Sequence, residues 1–208
     1  MTVTRRLLPA VAAYGAVLVL AYSADHGLTA VLDRQAFEAV RARRRPGLVK
    51  AARIVSALAE PQVVYPLLAL AGMSGAGRFT WRGAAMPSLA VAGGAAARTH
   101  LSRVIARRRP PAEAWLTEPG GFSLPSKHTA LAVLTVGAAV RAIGIRGAPA
   151  HAATTLAALG VGASRVCLGV HWPADVVAGW VFATGWLHLT DPDRRGPGQP
   201  QLSSAWGR

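Results

Sequence analysis

Ser164-Arg165-Val166-Cys167-Leu168-Gly169-Val170-His171-Trp172-Pro173-Ala174-Asp175 sets a cation, an imidazole and a carboxylate around one point, between two apolar stretches. Pro173 suits the first turn of a helix, where its missing N–H would go unpaired in any case. Asp175 follows two residues on, in the same turn, where the helix dipole favours a carboxylate. From there it can reach back to the ring of His171 just outside the helix. A carboxylate on one ring nitrogen fixes the tautomer and leaves the other free to attack or to take a proton. Arg165 supplies a forked donor suited to phosphate. The plainer alternative is a helix-capping acid beside an unrelated loop histidine.

Outward from this stretch, apolar blocks run from Leu7 to Tyr22, Ile54 to Gly77, Gly83 to Ala97, Thr129 to Val140, Ala148 to Ala163 and Asp175 to Leu189. Several are shorter than the ~20 residues that span a bilayer, and Ala and Gly dilute them. Arginine clusters and breakers lie between the blocks, as in loops between membrane helices, and small residues permit close helix packing in lipid. A soluble bundle would carry a polar stripe along each segment, and the last block has almost none. The expected fold is all-α: a six-helix transmembrane bundle with the active site at helix ends on one membrane face. The basic connector from Asp25 to Arg53 is expected to hold a short amphipathic helix through Val31, Leu32, Ala36, Phe37 and Val40, lying along the membrane surface. Arg78 to Arg82 reads as a tight turn. Residues 1–190 are expected to form the domain, and the Pro, Gly, Gln and Ser tail 191–208 to be disordered.

The chain of 208 residues is 52% hydrophobic and carries a net charge of +14. That length suits a single domain. A nucleic-acid partner requires the basic residues on one folded, soluble face. They sit instead at the ends of apolar blocks, as at Arg41, Arg43, Arg44, Arg45, Lys50 and Arg53, and anionic lipid headgroups are the simpler partner. No protein partner is evident. The single Cys167 excludes an intramolecular disulfide and a Cys-based zinc site. Arg5 and Arg6 before the first apolar run also fit a signal peptide cleaved near Ser23, but five further blocks favour a retained first helix.

The longest internal loop, Arg98 to Pro125, carries two further pieces of chemistry, and long loops in compact domains are usually functional. One is Arg107-Arg108-Arg109-Pro110-Pro111, at the end of an extension of the third helix. Its bland reading is a topology signal. The other, Gly120-Gly121-Phe122-Ser123-Leu124-Pro125-Ser126-Lys127-His128-Thr129, precedes the fourth block. Ser126 is a natural N-cap there, so the N–H groups of Lys127, His128 and Thr129 form an anion site at a positive helix end.

Arg-Pro, then Pro-Ser-x-His, then Ser-Arg-x5-His-x3-Asp, in that order and each at a helix end, resembles the type 2 phosphatidic acid phosphatase family. The vanadium haloperoxidases belong to the same superfamily. The resemblance covers about Arg98 to Trp186, and Gly169 to Trp180 looks like the bacterial membrane members. It implies a phosphatase without metal or other cofactor, working through a covalent phosphohistidine. His171 would be the nucleophile, Asp175 would orient it, and His128 would be the general acid. Arg109, Arg165 and Ser126 would hold the phosphoryl oxygens. Phosphoryl transfer needs positioning and positive charge above all, and two histidines can divide the nucleophile and acid roles.

Two positions depart from the family pattern. Ser102 stands where a lysine is usual, seven residues before Arg109, and Lys127 stands where Pro-Ser-Gly-His has glycine. The expectation is that Lys127 or Arg103 restores the missing charge at the phosphate; the rival is a weakened site or another substrate. The three motif loops and the basic connector share one face, which carries the majority of the Lys and Arg residues until the proposed site cations are set aside. The two faces are then level under the positive-inside rule. The family's bacterial enzymes usually face outward, so a multi-pass cell-membrane protein with an extracytoplasmic site is expected. Its substrate would be a lipid phosphate with its tail in the bilayer and Phe122, Trp115 and Trp172 at the interface. A polyprenyl diphosphate or related carrier lipid is favoured over polyprenyl phosphosugars, phosphatidic acid and phosphatidylglycerophosphate. The other readings are a non-catalytic or redirected membrane protein of this fold and a vanadate-dependent haloperoxidase.

Overall fold

The computed structural model describes residues 4–75 and 81–191. Most of the Arg78 to Arg82 turn and nearly all of the tail from Asp191 lie outside the described residues. Among the described residues eight α-helices follow one another: α1 Thr4–His26, α2 Leu28–Ala42, α3 Pro46–Ala57, α4 Pro61–Gly75, α5 Trp81–Ile105, α6 Lys127–Ala142, α7 Ala148–Cys167 and α8 Pro173–Leu189. A single 3-10 turn, Ala112–Ala114, interrupts the loop before α6. There is no strand among the described residues, so the all-α expectation holds.

The eight helices among the described residues exceed the six expected to span the membrane for two local reasons. The amphipathic segment of the basic connector forms α2, with Phe37 buried at 1% exposure and Val31 and Leu32 outward. The second apolar block is divided between α3 and α4, which meet at a 52° bend. Pro61 opens α4, disfavours helical geometry at Glu60 before it, and fits the first helical position. Leu7–Ala24 in α1 is the one stretch among the described residues long and apolar enough to cross a membrane alone, and α3 with α4 would pass the same test as one bent span. The later helices are diluted by Ala, Gly and Arg.

Helix α8 packs against α1 and α6, and α6 against α7, around a core that includes Val17, Leu68, Val91, Leu134 and Phe182. Tyr14 meets Phe182 edge-on at 5.3 Å. Two glycines bring the site's elements together. A Cβ on Gly179 of α8 would stand 2.9 Å from the Ser126 carbonyl, at the start of α6. Gly169, at φ +82°, turns the chain after α7 against the Ala114 carbonyl, a geometry that excludes other residues twice over. The N-termini of α6 and α8, the end of α7 and the loop after α5 thereby converge.

Candidate active site

Pro173 occupies the first turn of α8 and Asp175 its third position, as the spacing predicts. The Asp175 carboxylate is fully buried and saturated with donors. Oδ2 accepts from the Trp172 N–H at 2.8 Å, from the Ser123 hydroxyl and from His171 Nδ1 at 3.2 Å. Oδ1 accepts from Arg107 Nη1 at 2.6 Å. The network assigns the His171 proton to Nδ1, which leaves a lone pair on Nε2. Burial pushes the His171 imidazole down to about 4, against the opposing pull of Asp175. The ring is therefore neutral at physiological pH, with the Nε2 lone pair available. In histidine-labelled protein the 15N resonances of His171, assigned by their loss in a His171 variant, should titrate near 4. A midpoint at the ordinary 6.5 would show a ring open to water.

His171, His128, Arg109, Arg165, Lys127 and Arg103 all line one cavity of about 480 Å³. Residues from four separate segments thus meet as expected. Arg109 Nη1 lies 3.2 Å from His171 Nε2 and donates to the Val170 carbonyl at 2.6 Å. Its other nitrogens donate to the carbonyls of Gly120, Gly121 and Phe122. Arg109 therefore pins the Gly120–Phe122 loop over the His171 ring. Arg165 is buried at the end of α7 and donates from Nη1 to Ser56 Oγ at 2.7 Å, while its Nε has no partner among the described residues. Lys127 and Arg103 are exposed.

Ser126 departs from its expected place. It is the N-cap residue of α6, but its side chain makes no capping bond and is not part of the cavity wall. Its hydroxyl is fully buried and accepts from Thr129 Oγ1 at 3.0 Å. The backbone rather than the hydroxyl ties it to the site: Ser126 N–H donates to the Asp175 carbonyl at 2.9 Å.

Four groups that the sequence reading did not single out complete the arrangement. Glu60, at the α3–α4 break, accepts from or shares a proton with His128 Nε2 at 2.9 Å. It is the one charged residue in an otherwise apolar block, and an ionisable group there is a functional signal. Arg98 of α5 lines the cavity beside Ser102; both stand on helix, because α5 runs past Ala97 to Ile105 and the loop begins only at Ala106. Arg107 bridges Asp175 to Asp33 of α2, with Nη2 at 2.7 Å from Asp33 Oδ2. Burial alone would lower the Arg107 guanidinium, but Asp175 and Asp33 outweigh it and hold the cation firmly charged. Asp33 Oδ1 also accepts from the Ala174 N–H at 2.8 Å, so α2 caps the end of α8 that carries Asp175. No cluster of three or more potential His, Cys, Asp or Glu metal ligands occurs among the described residues.

The same region of the chain is matched by known proteins. The model of the PAP2 superfamily covers residues 82–192, which include every motif described above. A decaprenylphosphoryl-5-phosphoribose phosphatase of Mycolicibacterium smegmatis is 36% identical over 144 residues, covering 65% of this chain and 73% of that protein. The crystal structure of a transmembrane PAP2-type phosphatidylglycerolphosphate phosphatase from Bacillus subtilis superposes with a TM-score of 0.70 at 26% identity, over 86% of this chain and 92% of that one. On the family match, the identity and the shared fold together, the chain belongs to the PAP2 superfamily, and both of these relatives are phosphatases.

Proposed function

We propose that this protein is a multi-pass membrane phosphatase that hydrolyses a phosphomonoester on a polyprenyl-linked sugar, without a metal, through a phosphohistidine. The observation that carries the reading is His171 Nε2, freed by the Nδ1–Asp175 bond, in the wall of a cavity that also holds His128 paired to Glu60. Nε2 attacks phosphorus as the bond to the sugar oxygen breaks, and His128 gives that oxygen the proton of its second nitrogen while its Nε2 takes up the proton shared with Glu60. The same histidine then takes a proton from water, whose oxygen attacks the phosphohistidine and releases inorganic phosphate. Arg165 balances the charge that develops on the phosphoryl oxygens.

The preference for a phosphosugar over the diphosphate favoured by the sequence rests on two supports. The Mycolicibacterium relative is named for a polyprenyl phosphoribose. The cavity also adds Glu118 and Thr99 to its cations, and carboxylates and hydroxyls suit sugar hydroxyls better than an acyl chain. The lipid tail would lie in the bilayer, with the site at helix ends on the extracytoplasmic face. The intact His171–Asp175 pair argues against a non-catalytic relative.

Detergent-purified protein with excess EDTA should release phosphate from polyprenyl phosphosugars faster than from polyprenyl diphosphates, phosphatidic acid or phosphatidylglycerophosphate. Loss of release on adding EDTA would exclude the metal-free mechanism. Equal rates across the panel would exclude the sugar preference.

A further inference from the structure

We propose that Arg98 and Ser102 form a phosphoryl-oxygen subsite in the wall of the catalytic cavity. The inference rests on the phosphatase reading and deepens it. The two residues are four apart on α5 and so share one helix face. They are buried, at 5% and 3% exposure, and both line the cavity that holds His171 and Arg165.

Arg98 donates from Nε at 2.6 Å to the Pro125 carbonyl, and Nη2 donates to the same oxygen. That anchors one edge of the guanidinium to the loop before α6. Nη1 has no hydrogen-bond partner and no carboxylate lies within ion-pair distance of Arg98, among the described residues. A buried cation without a counter-ion is costly unless an anion completes it. The Ser102 hydroxyl, one turn along, is buried with no partner at all, and an unmade bond of that kind carries the full desolvation cost of the group. A cation and a hydroxyl donor side by side are complementary to one phosphoryl oxygen.

Arg109 is a poorer candidate for that oxygen, because all its nitrogens are committed to the Gly120, Gly121, Phe122 and Val170 carbonyls. Lys127 and Arg103 are exposed. The geometry therefore gives the charge that Ser102 itself lacks to Arg98, rather than to Lys127 or Arg103.

The test is binding of inorganic orthophosphate to the full chain in detergent, by calorimetry, for wild type, Ser102→Ala and Arg98→Gln, with thermal midpoints alongside. Ser102→Ala should weaken phosphate about fivefold, and Arg98→Gln about tenfold or more. Because Ser102 has no internal partner, its variant should melt no lower than wild type, which separates lost ligand contact from lost fold. Unchanged phosphate affinity in Ser102→Ala, or a wild type that binds no phosphate, overturns the subsite. Lipid turnover is measured on the same samples. Phosphate binding that responds to Ser102, with no turnover of any lipid phosphate by wild type, would retain the subsite and sink the proposed reaction instead.

Discussion

His171→Asn should release phosphate from its best lipid substrate about 10⁴-fold more slowly than wild type, or not measurably. The asparagine amide can still donate toward Asp175, so the buried carboxylate keeps a partner where His171 Nδ1 stood at 3.2 Å. What it lacks is the nucleophilic nitrogen. No second side chain is held by Asp175 in the same way, because the other donors on that carboxylate are Ser123, Trp172 N–H and Arg107. Ser123 is fully buried with its hydroxyl committed to Oδ2 and is absent from the cavity wall. Rapid quench into alkali, where a phosphoramidate survives, should trap labelled phosphate on wild type and none on the variant. Turnover of His171→Asn within tenfold of wild type would sink the covalent mechanism and leave His128 with Glu60 as the candidate base for direct attack by water.

The stretch around His171 was readable because its geometry is local. The i, i+4 spacing from His171 to Asp175 and a proline at the first helical position are enough to place a carboxylate beside a ring. Arg165 was likewise legible as a forked donor beside that stretch, whereas Arg109 and His128 were picked out only by the resemblance of Arg-Pro and Pro-Ser-x-His to the family's motifs. The break in the second block was not legible, since composition treats Ile54 to Gly77 as one block while Pro61 divides it. The Ser126 hydroxyl was misplaced for a related reason: the N-cap position follows from sequence, but the rotamer follows from Thr129 one turn later. Asp33 and Arg107 were out of reach altogether. Their partners lie 74 and 68 residues away along the chain, and only the packing of α2 against α8 makes the acid on α2 part of the site.

Arg107→Met should destabilise the protein by roughly 3–5 kcal/mol, the usual cost of stripping one partner from a buried ion pair. At this chain length that corresponds to a fall of about 10 °C in the thermal midpoint. The side chains of Arg107, Asp33 and Asp175 are 4%, 4% and 0% exposed, so little water can replace the lost cation. Methionine fills most of the volume, which confines the loss to charge and hydrogen bonds. Adding Asp33→Asn should recover part of the midpoint, since it removes one of the two stranded carboxylates while keeping an acceptor for the Ala174 N–H. A coupling of about 1 kcal/mol or more between the two substitutions is expected for directly bonded partners. Turnover should fall with Arg107→Met beyond what the midpoint explains. Asp175, deprived of the cation on Oδ1, gains by taking a proton, and a protonated Asp175 no longer fixes the His171 tautomer. If both substitutions move the midpoint by less than the equivalent of 1 kcal/mol, the three charges are not acting as one buried network, and the tie from α2 to His171 is packing alone.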